Sequence, residues 1–236
     1  MTGLGASFGV PEGVRRVAAR SEGTARIVLV RHGEAVCNVS GVVGGQMGCT
    51  GLTDLGRRQV RAVADRLERT GELGVVDALY ASVLPRAIET AGILASALKV
   101  DPSQITQDCD LCELHPGEAD GMRWQQVIDA FGVPDWDNDP ELLIAPGGES
   151  WTGFVARVSR TLQGLAQRHA GEVVVAAVHA GVIEASLIGL LQIPPAAGRR
   201  GWVRIGHASL TEWEWEPKGS RWVLVRVADA YGVPMA

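Results

Sequence analysis

The chain has 236 residues, 46% of them hydrophobic, enough for one substantial core, and a single domain over residues 25–236 is expected. With 22 Lys and Arg against 27 Asp and Glu, the formal charge of −5 argues against a general nucleic-acid binder, whose phosphate contacts demand a basic excess. Four cysteines, Cys37, Cys49, Cys109 and Cys112, are too few and too unevenly spaced for a disulfide-stapled secreted scaffold.

No apolar run reaches the length of about eighteen residues needed to span a bilayer, and the first 25 residues lack a signal-peptide apolar block. A soluble, cytoplasmic protein without a membrane partner is expected. Residues 1–24, rich in Gly, Ala and Arg and without periodicity, read as a mobile extension before the first strand.

Residues 25–31 are a short β-branched run that ends in His32-Gly33, the pattern of a buried strand delivering polar groups at its carboxyl end. A glycine-rich loop follows. From Thr53 the apolar positions Leu55, Val60, Val63, Ala64 and Leu67 recur at helical spacing, with Gly71 as the stop. A strand is expected over 78–83, a helix beginning near Pro85, and a third strand within 104–114.

Residues 115–148 carry prolines and glycines with one short helical pattern near 123–131, and read as an inserted lid. After Gly147-Gly148-Glu149-Ser150 a helix carries Phe154, Val155, Val158, Leu162 and Leu165 on one face and closes at Gly171. A strand over 172–178 ends in His179, and a helix stopped by Pro194-Pro195 follows. Two strand-like runs around Pro217-Lys218-Gly219-Ser220 suggest a terminal hairpin.

Alternating strands and helices predict a three-layer α/β fold, a mostly parallel sheet with helices on both faces. Ligands of such sheets bind beyond the carboxyl ends of the strands, where both His32 and His179 fall. Arg31 and His32 precede a glycine that lets backbone approach an anion, and Arg86 sits in the first turn of a helix, an end that attracts anions. Alone, each has a plainer explanation: a polar strand end for Arg31-His32, and a surface pair with Glu89 for Arg86.

Six fragments in order change that balance: R-H-G-x-x-x-x-N (31–38), G-L-T-x-x-G-x-x-Q (51–59), S-x-L-x-R-A-x-x-T-A (82–91), L-x-E-x-x-x-G (111–117), G-G-E-S (147–150) and H-A-G-V-I (179–183). Together they resemble the histidine phosphatase superfamily, also called the phosphoglycerate mutase-like family. The resemblance implies that His32 is a nucleophile forming a phosphohistidine that water then hydrolyses, with no metal or other cofactor. It implies that Arg31, Arg86 and His179 frame the phosphate, that Asn38 contacts it, and that Glu113 serves as general acid and then base. On chemistry alone Asp108, Asp110 and Glu118 compete with Glu113, and the L-x-E frame selects Glu113. Asn38 could equally satisfy its local backbone.

His32 must attack as a neutral imidazole while His179 helps most as a cation, so unlike protonation is expected. Cys49, Gly51, Ala180, Glu184 and His207 depart from common family residues, and Glu184 leaves a less basic rim for a second substrate phosphate. Seven acids within 115–148 against one Arg123 would repel a bisphosphate. The expected function is therefore hydrolysis of a small phosphomonoester, with an apolar or uncharged leaving group held by Trp124, Trp136 or Phe131. A phosphoglycerate mutase-type phosphotransferase and a non-catalytic phospho-ligand binding module are the alternatives. Cys109-x-x-Cys112 with His115 hints at zinc but lacks the second Cys pair of a structural site. Trp202, Trp213, Trp215 and Trp222 read as packing residues of the terminal strands.

Overall fold

The computed structural model describes residues 22–193 and 203–234. The expected extension up to residue 21, the Pro194-Pro195 stop and Trp202 lie outside these residues.

Strand β1 (Ala25–Arg31) is the centre of the fold because its side chains alternate between two apolar layers. Val28 and Val30 pack against helices α2 (Asp54–Thr70) and α3 (Pro85–Ala97) on one face. Ile27 and Leu29 pack against α5 (Trp151–Arg168) and α6 (Ala180–Leu190) on the other. Each β-branched residue of the run is thus buried whichever way it points, which is why the segment reads as continuously apolar.

The sheet has six strands in the order β3-β2-β4-β1-β5-β6, with β2 Ala78–Ala81, β3 Thr106–Gln107, β4 Val173–Val178, β5 Leu210–Glu216 and β6 Arg221–Asp229. Pairings β1–β4, β2–β4 and β2–β3 are parallel, with Arg31 opposite Val178. Strands β5 and β6 form the expected hairpin and join β1 antiparallel. The result is a mixed sheet, parallel through four strands, with helices on both faces.

Local chemistry sets most boundaries. Thr53 caps α2 by accepting from Gly56 N–H at 3.0 Å, and Gly71 ends it with φ 60°, a conformation favouring glycine. Pro85 occupies the first turn of α3. Ser150 caps α5 through Gly153 N–H at 3.1 Å.

Two expectations need correction. The third strand is only two residues long, because Asp108 accepts from Asp110 N–H at 2.9 Å and folds Cys109–Leu111 into a 3-10 turn instead. The glycine-rich loop after β1 contains a short helix, α1 (Val36–Ser40), closed by Gly41 at φ 67°. Within 115–148 the chain forms α4 (Trp124–Phe131), and Ala119, Val127 and Ala145 of this segment cluster with Val43 of the loop after β1. Trp213 is buried and Trp215 and Trp222 are packed against the same core, as expected of packing residues.

Candidate active site

The carboxyl ends of β1 and β4 lie side by side, so the residues that follow them meet. His32 N–H donates to Val178 O at 2.9 Å, and the His32 and His179 rings stand 5.2 Å apart. Arg86 enters from the first turn of α3, buried to 4% exposure. Its Nε–H points between the imidazoles, 3.1 Å from His32 Nε2 and 3.2 Å from His179 Nδ1. The surface alternative for Arg86 therefore fails. Glu89 is instead taken by Arg57, at 2.6 Å, and by Leu52 N–H.

This shared donor defines the imidazoles. A single N–H can bond both nitrogens only if both offer lone pairs. His32 Nδ1 then carries the proton and donates to Gly33 O at 2.6 Å, leaving Nε2 as the nucleophilic atom. His179 Nε2 carries the proton and donates to Ser82 Oγ at 2.6 Å. Burial, followed by the Arg86 charge, holds both histidines well below their ordinary pKa. Both rings are thus held toward the neutral form by the same two causes, and the unlike protonation expected beside a phosphate dianion concerns the complex.

Arg31 closes the cationic frame at the end of β1. Its Nη1 donates to Ile205 O, while its buried Nε finds no hydrogen-bond partner among the described residues. Burial lowers its pKa against the opposing pull of Glu113 and Glu184. His207, whose ring lies 5.8 Å from that of His32, is held down to about 4 by burial and by Arg31.

Glu113 reaches the same cleft. Its Oε2 accepts from Gly181 N–H in the first turn of α6 and its Oε1 from Leu114 N–H, each at 3.1 Å. Arg31, His32, Asn38, Arg86 and Glu113 all line one cleft of about 600 Å³. His179 is not part of the lining and joins it through Arg86, whose Nε–H lies 3.2 Å from His179 Nδ1. Asp108, Asp110 and Glu118 do not line the cleft, whereas Glu113 does. Asn38 satisfies its local backbone, Oδ1 accepting from Ala35 N–H at 3.1 Å, and the residue borders the cleft.

The far wall is aromatic and aliphatic, formed by Trp124, Trp136, Ile144, Trp151 and Phe154, with Glu184 at the edge. Phe131, named for this role from sequence, is not part of it. None of the seven acids of 115–148 lines the cleft either.

Sequence reasoning assigned no role to Ser82 or Arg157, both buried. Arg157 bonds Glu149 through Nε at 2.8 Å and Nη2 at 2.6 Å, and its Nη1 reaches the carbonyls of Asp110 at 2.8 Å and Cys112 at 3.0 Å. Its Nη2 also reaches Glu113 O at 3.3 Å, so Arg157 braces the segment that presents Glu113. The available signal was an arginine beside the apolar stripe of α5, which needs a buried anion such as the Glu149 of G-G-E-S.

A model of the histidine phosphatase superfamily (branch 1) matches residues 27–230. The chain belongs to that superfamily. Among its relatives are phosphoglycerate mutase-like protein 4 of Arabidopsis thaliana, 35% identical over 67% of this chain and 68% of that protein, and the metal-independent phosphoserine phosphatase of Arabidopsis thaliana, 33% identical over 76% and 74%. The solved structure of a mycobacterial glucosyl-3-phosphoglycerate phosphatase superposes with a TM-score of 0.70 at 28% identity, covering 86% of this chain and 99% of that one. In this histidine phosphatase of phosphoglycerate mutase-like fold, the fragments at 31–38, 82–91, 111–117 and 179–183 each contribute residues to one cleft.

Proposed function

We propose that this histidine phosphatase hydrolyses a small phosphomonoester through a phosphohistidine on His32, without a catalytic metal. The observation that carries the reading is the Arg86 Nε–H held between His32 Nε2 and His179 Nδ1. It leaves a neutral nitrogen facing the cleft beside two fixed guanidinium groups. Phosphoryl transfer needs in-line positioning and stabilisation of charge on the equatorial oxygens, which Arg31 and Arg86 can supply bidentately.

In the reaction an incoming phosphate oxygen takes over the Nε–H of Arg86, which frees the lone pair of His32 Nε2. That lone pair bonds to phosphorus as the ester P–O bond breaks, and Glu113 protonates the departing alkoxide. Glu113 then removes a proton from water, whose oxygen attacks the phosphohistidine and returns His32 with release of inorganic phosphate. Asn38 would bind the phosphate in both steps, and His179 would join it once Nδ1, no longer accepting from Arg86, takes a proton from solvent beside the phosphate dianion.

The apolar wall suits a leaving group with an apolar or uncharged body. Among the described residues only Arg31 and Arg86 are cationic side chains lining the cleft, and Glu184 is acidic. That weighs against holding the second phosphate that a mutase intermediate requires. No helix among the described residues is long and apolar enough to cross a membrane, and all four cysteines are free, which suits a reducing, cytoplasmic setting.

Rapid-quench labelling with a phosphorus-labelled monoester tests the proposal. An acid-labile phosphoenzyme is expected in the wild type and absent in His32→Ala. Turnover without that intermediate would overturn it. Efficient isomerisation of 3-phosphoglycerate with negligible hydrolysis would establish the mutase instead.

A further inference from the structure

A second cluster of reactive side chains lies beside the cleft and has no part in the chemistry above. The 3-10 turn over Cys109–Leu111 is closed by Cys112 N–H bonding Cys109 O at 2.9 Å, which brings the two cysteines close together. His115 returns over this turn with Nε2 3.7 Å from Cys109 Sγ. One ligand atom from each of Cys109, Cys112 and His115 lies within 4.8 Å of the other two.

Those lengths can be compared with a coordination tetrahedron. Zinc bonds sulfur at about 2.3 Å and imidazole nitrogen at about 2.0–2.1 Å, which requires an S···N edge of about 3.6 Å and an S···S edge of about 3.8 Å. The Cys109–His115 edge already has that length, and the others need to shorten by at most about 1.2 Å.

The opposite side of the imidazole is also arranged. His115 Nδ1 faces Glu149 Oε2 at 3.7 Å, and Arg157 holds that carboxylate at 2.6 Å. Metal-bound histidines commonly direct their second nitrogen to a carboxylate, an orientation that here leaves Nε2 toward the sulfurs. A cavity of about 420 Å³ borders Cys109, Cys112 and His115, with room for water as a fourth ligand. Two thiolates and an imidazole select zinc over magnesium or calcium.

We propose that Cys109, Cys112 and His115 form a zinc site whose occupation slows phosphoester hydrolysis. Binding displaces the two thiol protons to the buffer and draws Cys112 Sγ toward the metal. Cys112 adjoins Glu113, and both carbonyls are held by Arg157, so a shift of Cys112 works against this brace and reaches the carboxylate that serves the leaving group across a single peptide bond. The inhibitory half rests on the phosphatase reading. The binding half does not.

Cobalt(II) is the probe for binding, since thiolate ligation gives it a sulfur-to-metal charge-transfer band, and zinc(II) is the probe for inhibition. One cobalt per chain is expected in the wild type, displaced by zinc, with affinity at least about ten-fold lower in Cys109→Ser and in His115→Ala. Zinc should slow hydrolysis at least about ten-fold in the wild type and less than about two-fold in Cys109→Ser, whose exposed side chain does not endanger folding. No thiolate band in the wild type, or an undiminished one in Cys109→Ser, would overturn the site. Zinc bound at one per chain with an unchanged rate would overturn the coupling. Inactivity of the metal-free protein toward every monoester would instead sink the phosphatase reading, and the cobalt spectrum would still decide the site.

Discussion

Gly181 donates its backbone N–H to Glu113 Oε2 at 3.1 Å, and a Cβ added at Gly181 would fall inside the van der Waals envelope of Glu113 Oε1. The carboxylate therefore sits where only a glycine allows it, anchored to the first turn of the helix that follows His179. Gly181→Ala should push Glu113 out of this position and lower kcat about 10- to 100-fold for alkyl phosphates, a loss of part of the acid–base contribution. The circular-dichroism spectrum should stay unchanged. Full activity in this variant would mean that the observed carboxylate position is not the working one.

Glu113→Gln tests the proton-transfer role itself. A poor leaving group needs its oxygen protonated as the P–O bond breaks, whereas a nitrophenolate leaves unaided. The variant should lose about 10²- to 10⁴-fold in kcat/KM with alkyl monoesters and much less with p-nitrophenyl phosphate. An equal loss across the series, read as an unchanged Brønsted slope, would assign Glu113 to binding.

Arg86→Lys keeps the charge and removes the planar group whose Nε–H addresses two imidazoles at once. Loss of a fixed donor to transition-state oxygen commonly costs 10²- to 10³-fold, and kcat/KM should fall by about that much. Vanadate or phosphate inhibition should weaken in parallel. A change confined to thermal stability would return Arg86 to a structural role.

Arg157 differs from these because it touches no substrate in the proposed reaction. Arg157→Met removes five hydrogen bonds, to Glu149 twice and to the carbonyls of Asp110, Cys112 and Glu113, and leaves Glu149 without its cation. Burial opposes the ionised state of Glu149, and Arg157 together with the His115 N–H outweighs it to lower the pKa. Destabilisation of about 3 kcal/mol is expected in urea titrations, the cost of stranding a half-buried carboxylate. Because the brace positions Glu113, kcat at a permissive temperature should drop more than KM rises. A pure stability loss with wild-type kcat would remove the positioning role.

The readable parts of this chain were those where chemistry and local pattern coincide. Thr53, Gly71, Pro85 and Ser150 mark helix ends through their own side-chain or backbone properties, and the helices are found there. Strand β3 is shorter than the 104–114 expected because the Asp108 side chain turns the chain after Gln107, an interaction that residue pattern alone does not display. His32, Arg86 and Glu113 were legible as types in a familiar order, but not the single N–H shared by two imidazoles, which depends on side-chain direction across three elements. The orientation of 115–148 was equally hidden: composition counts its acids, and only packing shows that Trp124, Trp136 and Ile144 face the cleft in their place.

Three histidines near the reaction centre make stability depend on pH in a predictable direction. Burial and then Arg86 hold His32 and His179 well below their ordinary pKa, and burial and Arg31 hold His207 down to about 4. In the unfolded chain each returns to about 6.5. Above that value both states are neutral at these sites and their contribution to stability is fully present. As pH falls below it, the unfolded chain takes up protons that the native protein refuses, so the free energy of unfolding decreases. The slope approaches about 1.4 kcal/mol per pH unit for each of His32 and His179, and the loss ends only once the folded values are reached. Glu72, Glu149 and Asp229, with lowered pKa, remain ionised in both states through most of the pH 6.5–5 window and add little there. Urea midpoints should accordingly fall steeply between pH 7 and 5 in the wild type and less steeply in His179→Asn. A midpoint that holds constant or rises on acidification across this window would contradict the neutral, lone-pair state on which the nucleophile depends.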